Sequence, residues 1–239
     1  RRMHSTTDPY AEKRPGHTWS MDTIEWRSRS RHGNKFTTVM RDMATDVFVL
    51  MHSWSRADIR EQFRAEVNKL RKHPYYSADK DYEVVTEIHL DVAGEWKSDN
   101  KDWEELCEDM GIVPKYSSPD DKRTNAHAET SVRIIEMGTK AIMMEKGLPI
   151  EWWQEAADQA AELRNLHPSS RNMISSDGDA IRPLEMLTNG RISRLECDRR
   201  LHYFVTVGTP AMVTHSRPPK ASNIANIARI RWGICVRME

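Results

Sequence analysis

The chain has 239 residues, 38% hydrophobic and 30% charged, and its 36 basic and 36 acidic side chains cancel to a formal net charge of zero at pH 7. That length can bury a real core, as one large domain or one domain with a small appendage. The longest uninterrupted apolar run, VFVLM at 47–51, is far too short to span a bilayer, so a soluble protein without a membrane partner is expected, and with no apolar signal segment at the start, secretion is not.

Residues 1–17 are polar and proline-punctuated and read as a linker. HTWSMDTIEW then alternates, with Trp19 and Met21 on one face and Ser20, Asp22 and Ile24 on the other, the pattern of a half-buried strand. After the turn residues of SRSRHGN, the segments KFTTVMRD and TDVFVLMH predict two more strands around a tight DMAT turn, and three consecutive strands imply an antiparallel meander. Ser55 with Asp58 resembles a capping box, and Ile59, Phe63, Val67 and Leu70 recur at helical spacing until His73 and Pro74 end the run. YEVVTEIHLD predicts a strand with Val84, Thr86, Ile88 and Leu90 on one face and Asp91 at its exit. NKDWEELCEDM predicts a short helix closed by Gly111, GIVPKY a brief strand, and SSPDDKRT a mobile polar loop. A helix follows from Asn125 to about Glu145, with Val132, Ile135 and Ile142 inward. Leu148-Pro149 breaks it, and an alanine- and tryptophan-rich helix runs from Ile150 to Asn165.

This order predicts an α/β layer domain with a mixed sheet over residues 18–168. A connecting segment at 169–198 contains the short helical piece RPLEML, and 199–239 reads as a small β appendage with proline and glycine turns.

The zero net charge hides a polarised distribution. Asp81 to Asp109 holds eleven carboxylates against two lysines, whereas Arg199 to Arg237 holds seven Lys/Arg and no acid, and RSRSRHGNK at 27–35 also lacks acids. Such segregation suits a protein that holds cations in one place and a polyanion in another. The acid-free tail with Trp232 reads as a nucleic-acid surface. The basic turn suits either phosphate contact or simple solubility.

Motifs for other chemistries are missing. No GxxxxGK[ST] or GxGxxG loop cradles a phosphate, and no GxSxG elbow presents a serine. Cys107, Cys197 and Cys235 lie far apart without a CxxC pair, which excludes a zinc knuckle or disulfide framework and leaves buried thiols. His4, His17, His89 and His127 form no HxxxH or HExxH spacing and read as structural or solvated. Trp152 and Trp153, on an alanine-rich helix, read as packing rather than a base-stacking platform.

Carboxylates remain. Asp22 is mid-strand, where an acid is disfavoured and costly if buried unpaired; Asp91 stands at a strand exit and Glu129 near a helix start. Singly, each reads as an ordinary surface acid, but three acids from separate elements can together hold two hard divalent cations. On its helix Glu129 shares a face with Arg133, Glu136 and Lys140, which suits either an exposed salt-bridged stripe or a metal-ligating acid followed by cations along a DNA backbone.

The segments DTIEW, DVAGEW and NAHAE, followed by LPIEWWQEAADQAAELRN and RPLEMLTNGR, give the chain a specific resemblance. Over roughly residues 15–195 it resembles the integrase catalytic core of copia-type LTR retrotransposons, in the retroviral integrase superfamily. More weakly, VGTPAMV and PPKAS resemble the SH3-like module that trails such cores. The resemblance implies a ribonuclease-H-like mixed five-stranded sheet flanked by helices, and it maps a catalytic and metal-binding triad onto Asp22, Asp91 and Glu129. Sixty-eight residues lie between the first pair and thirty-seven between the second, slightly more than the family shows. Val92, Lys122 and Ala126 stand where the family commonly has Asn, Pro and Gly. Trp96 is expected as a wall of the site, and the absence of the family's His/Cys zinc module suits a fragment or degenerate copy.

What the resemblance implies about activity is a metal-dependent polynucleotidyl transferase for DNA 3′-end processing and strand transfer, using Mg²⁺ or Mn²⁺ in a two-metal site. Its partners would be element-end and target DNA and further copies of itself, in the nucleus. Asn125, Arg133, Lys140, Arg229 and Arg231 are the expected nucleic-acid contacts. The alternatives are a catalytically inactive DNA-binding or oligomerising module and a ribonuclease-H-like nuclease acting on RNA-containing duplexes.

Overall fold

The computed structural model describes residues 14–73, 84–91, 101–117, 122–168, 180–202, 207–214 and 230–234, with the backbone alone for 122–125, 210–214 and 230–234. Strands β1 (Thr18–Glu25), β2 (Phe36–Asp42) and β3 (Phe48–Ser53) form the expected antiparallel meander. Helix α1 (Ile59–Lys72) precedes β4 (Glu87–Leu90), which pairs with β1 in parallel. Helix α2 (Lys101–Asp109) precedes β5 (Val113–Tyr116), parallel to β4. The sheet therefore has the mixed order β3-β2-β1-β4-β5. Helix α3 (Lys122–Lys146), a 3-10 turn (Ile150–Trp152), α4 (Trp153–Leu166), α5 (Pro183–Leu187) and α6 (Arg194–His202) follow. Strands β6 (Pro210–Thr214) and β7 (Ile230–Ile234) make a separate antiparallel pair.

Alternation along the strands sorts side chains onto two faces. Trp19, Met21, Met40, Ile88 and Leu90 pack with Ile59, Phe63, Val67 and Leu70 of α1 and Trp103, Leu106 and Cys107 of α2. The four apolar positions that predicted α1 are the four it buries, each contributing roughly 1.5–3 kcal/mol relative to exposure. On the other face Ile24, Val39 and Phe48 meet Ile135 of α3 and Ala157 and Ala161 of α4. The alanines have a steric reason: a Cβ added at Gly138 of α3 would stand 2.8 Å from that of Ala160, so small residues set how closely the two helices pack. Asn165 of α4 accepts from the Phe48 amide at 2.7 Å and donates to its carbonyl at 2.9 Å, a side-chain amide standing in for the next strand beside β3.

Four features differ from the sequence reading. Strand β4 starts at Glu87 because Val85 adopts φ 57, a conformation costly for a β-branched residue. It is held by the Arg71 guanidinium, which donates to the carbonyls of Val84, Val85 and Met110 at 2.8–3.0 Å. Helix α3 starts at Lys122 rather than Asn125, consuming part of the expected loop. Alanine at 126, where the resembling family prefers Gly, favours the extra turn by about 1 kcal/mol. Helix α6 lies across residues 194–202, a stretch without a clear apolar stripe of which Cys197 is the buried residue.

The basic 27–35 turn is the fourth difference, since it neither waves in solvent nor stands free. It docks on the start of α4: Arg31 and His32 both bind Glu155 Oε1, at 2.7 and 2.8 Å, and Arg31 stacks on Trp152 at 4.4 Å. Ser30 and Asn34 both donate to Gln154 Oε1. Trp153 is buried, stacked 4.7 Å from Trp26, and donates to the Ser28 carbonyl. The packing role expected for the tryptophan pair therefore holds.

Candidate active site

Asp22 and Asp91 come together through strand register. Thr18, Trp19 and Ser20 of β1 pair with Glu87, Ile88 and His89 of β4. Continued two residues, the same register would set Asp22, still within β1, beside Asp91, the residue after β4. Paired strands lie about 4.8 Å apart, the backbone spacing that such a continuation would give the two acids. Both face the α3 side: Asp22 pairs with Val39, whose side chain lies in the α3/α4 core, and Asp91 alternates with Leu90, which lies in the opposite core.

Both aspartates are partly buried. Asp22 Oδ1 accepts the Thr23 amide at 2.7 Å, and Asp91 Oδ1 accepts the Ser117 hydroxyl at 3.1 Å. Ser117 is itself placed by its amide bond to the Leu90 carbonyl, one residue before Asp91.

Glu129 sits in the second turn of α3 and is exposed. The salt-bridged stripe exists only in part. Lys140 meets Glu136 at 3.2 Å, while among the described residues no cation lies within ion-pair distance of the Glu129 carboxylate. Arg133 and Lys140 are exposed on the outer side of the same helix. Asn125 lies in the first turn of α3 and Arg231 in β7, with only their backbones described; Arg229, Trp96 and Val92 lie outside the described residues. Among the described residues, no group of three or more His, Cys, Asp or Glu side chains stands close enough together to hold a metal ion. The donor chemistry and common face of Asp22 and Asp91 thus suit a hard divalent cation, while the three acids Asp22, Asp91 and Glu129 do not form a metal-holding cluster among the described residues.

Sequence reasoning missed the polar groups that seat α3. The Ser20 hydroxyl, two residues before Asp22, is 2.7 Å from His127 Nδ1, two residues before Glu129. Arg41 binds Asp46 Oδ1 through Nε and Nη2 at 3.1 and 2.7 Å and donates from Nη1 to Ser131 at 3.4 Å. The one available signal was phase: Ser20 alternates with the core residues Trp19 and Met21 and so shares the face of Asp22. The structural reading of the histidines holds for His17, bonded to Thr86, for His89, bonded to Glu87, and for His127. Cys107 is a buried thiol whose pKa burial pushes up to about 12, which makes it inert as a nucleophile; Cys197 is buried too, and Cys235 lies outside the described residues.

No protein-family model and no curated protein matches the sequence. Solved structures do. One is a chain of the simian T-cell lymphotropic virus intasome in complex with PP2A regulatory subunit B56 gamma, with TM-score 0.51 and 12% identity over 73% of this chain. The present chain spans about half of that one, 55% of its length. The HTLV-2 integrase catalytic core domain in complex with magnesium matches with TM-score 0.47 and 14% identity, over 72% of this chain and 97% of that one. The BIV integrase catalytic core domain matches with TM-score 0.46 and 17% identity, over 75% and 99%. At such identities the likeness is one of fold. The mixed five-stranded sheet flanked by helices is the ribonuclease-H-like architecture of integrase catalytic cores.

Proposed function

We propose that this chain is an integrase-type polynucleotidyl transferase acting on DNA, of the copia-type retrotransposon branch, and that Asp22, Asp91 and Glu129 are its catalytic acids. The observation that carries the reading is the parallel β1–β4 register, which, continued two residues past its last pair, would set side by side two acids with sixty-eight residues between them. The reaction is in-line attack of water or a 3′-hydroxyl on a phosphodiester: the new P–O bond forms as the bond to the leaving 3′-oxygen breaks, the attacking oxygen loses its proton to solvent, and the leaving oxygen takes one from solvent to become a hydroxyl. Mg²⁺ or Mn²⁺ bound by the acids would supply activation of the attacking oxygen and charge stabilisation at the leaving one.

The chain's own residues have separable tasks. Asp22 and Asp91 present hard oxygen donors from a rigid sheet edge, and Ser117 orients the Asp91 carboxylate by its hydroxyl. Glu129, unpaired among the described residues and carried on a long side chain, is free to turn toward the aspartates. Arg133 and Lys140, exposed on the outer side of α3, suit phosphate contacts, as do Asn125, Arg229 and Arg231. Element-end and target DNA, a nuclear site of action and self-association complete the proposal.

A calorimetric Mn²⁺ titration tests it. Saturable binding lost in Glu129→Gln and in Asp22→Asn is the expected result, and Asp22→Asn protein that joins DNA ends at the wild-type rate would refute the assignment. A second reading, an inactive DNA-binding or oligomerising module, is favoured by the lack, among the described residues, of a three-acid cluster able to hold a metal. It predicts DNA binding with no saturable Mn²⁺ binding.

A further inference from the structure

We infer that Ser20, His127, Arg41, Asp46 and Ser131 are positioning residues that seat the first two turns of α3 on the sheet, and so determine where Glu129 stands relative to Asp22. The inference rests on the reading of those acids as one site. All five residues are buried, with Ser20 and Ser131 each 1% exposed and His127 4%. They form a continuous polar chain. Ser20 bonds His127 across the β1–α3 gap, and His127 Nε2 lies 4.0 Å from Asp46 Oδ1. Asp46 takes two bonds from Arg41, and Arg41 reaches Ser131, whose hydroxyl donates to the His127 carbonyl at 2.7 Å.

The apolar core cannot do this job. On the sheet side of α3 it begins at Val132 and Ile135, whereas the turns before it bury His127, Ala128 and Ser131. Glu129 lies six residues before Ile135, about 9 Å along the helix axis. Among the described residues of α3 before Val132, Ala128 is the apolar side chain buried, and the directional bonds decide where that part of the helix lies. The two ends of the Ser20–His127 bond are each two residues from a proposed acid, on the same strand and the same helix. A buried polar chain joined by directional bonds favours one arrangement, where apolar contacts tolerate sliding.

The test uses the full chain, with Ser20→Ala and His127→Val against Thr139→Ala. Thr139 is equally buried and donates to the Ile135 carbonyl, so its loss perturbs α3 downstream of the seat. In metal-free protein, amide hydrogen exchange over residues 128–133 should quicken at least tenfold in Ser20→Ala and His127→Val and stay within twofold of wild type in Thr139→Ala. Mn²⁺ affinity should fall at least tenfold in the first two and hold in the third. Unchanged exchange in Ser20→Ala, or equal quickening in Thr139→Ala, overturns the inference. If wild type binds no Mn²⁺, the reading of the acids fails instead, and the exchange result alone still decides whether these residues seat the helix. Should His127→Val fail to fold, the smaller Ser20→Ala change carries both measurements.

Discussion

Asp42, at the end of β2, gives the structure a pH-dependent stability that can be worked out in advance. Its carboxylate is fully buried and accepts three bonds: Oδ1 from the Gly16 amide at 3.0 Å, Oδ2 from the Thr45 amide at 2.9 Å and hydroxyl at 2.7 Å. Burial disfavours the charged form more than those bonds favour it, and raises the pKa from the ordinary 3.8 to about 6. Because the folded pKa exceeds the unfolded one, the native state holds the proton more tightly. Stability from this group is therefore fully present below about pH 4 and lost as pH rises through about 6. Roughly two pH decades at about 1.4 kcal/mol each make the loss about 3 kcal/mol. Asp42→Asn removes the titration, so urea unfolding at pH 4, 5, 6 and 7 should show a wild-type stability that falls relative to the variant by about that amount. The absolute stability of the Asp42→Asn protein matters less, since its amide must forgo at least one of the three donors. A wild-type-minus-variant difference that is flat or rises with pH would refute the claim that desolvation dominates.

Other changes test the packing and the surface separately. Gly33→Ala puts a Cβ within 2.6 Å of the Trp54 ring at a residue with φ +86, and should cost about 1–3 kcal/mol in urea unfolding. Trp153→Ala removes a buried ring stacked on Trp26, and should cost about 3–5 kcal/mol and release the basic turn to faster proteolysis. Arg41→Met strips the buried Asp46 carboxylate of its guanidinium partner, for an expected loss of about 3–5 kcal/mol by the same measurement. If α3 lies along a DNA backbone, Arg133→Ala and Lys140→Ala should each lower the slope of log affinity against log salt by about 1, read from fluorescence anisotropy with an unspecific duplex.

Legibility from sequence tracked periodicity. Strands β1 and β4 and helix α1 announced themselves through alternation or a 3.6-residue stripe, because each buries a face against a core. Segments shaped by single interactions did not. Val85 reads as a strand residue until the Arg71 guanidinium, thirteen residues and more away, turns out to hold its own carbonyl and that of Val84. The 27–35 turn reads as a free basic loop because its partners, Glu155, Gln154 and Trp152, lie more than a hundred residues on. For the candidate site, the strand phase of Asp22 and the exit position of Asp91 were legible. That the three acids form no metal-holding cluster among the described residues was not, because it depends on helix placement.

That contrast has a physical basis in how the two kinds of acid are held. Asp22 and Asp91 each follow a residue of the opposite core, Met21 and Leu90, and Trp19 and Ile88 are register partners in that same core. With β1 held by β2, a one-residue slip of β4 would turn the buried Ile88 and Leu90 out to the wrong face, at a cost of several kcal/mol. Hydrophobic burial thus fixes the register of the two strands that carry the aspartates. A helix on a sheet has no such lock along its axis, since apolar contacts vary smoothly as it slides or tilts. The third acid therefore depends on directional bonds near its own turn, and Ser20 with His127 supplies one between the same strand and the same helix.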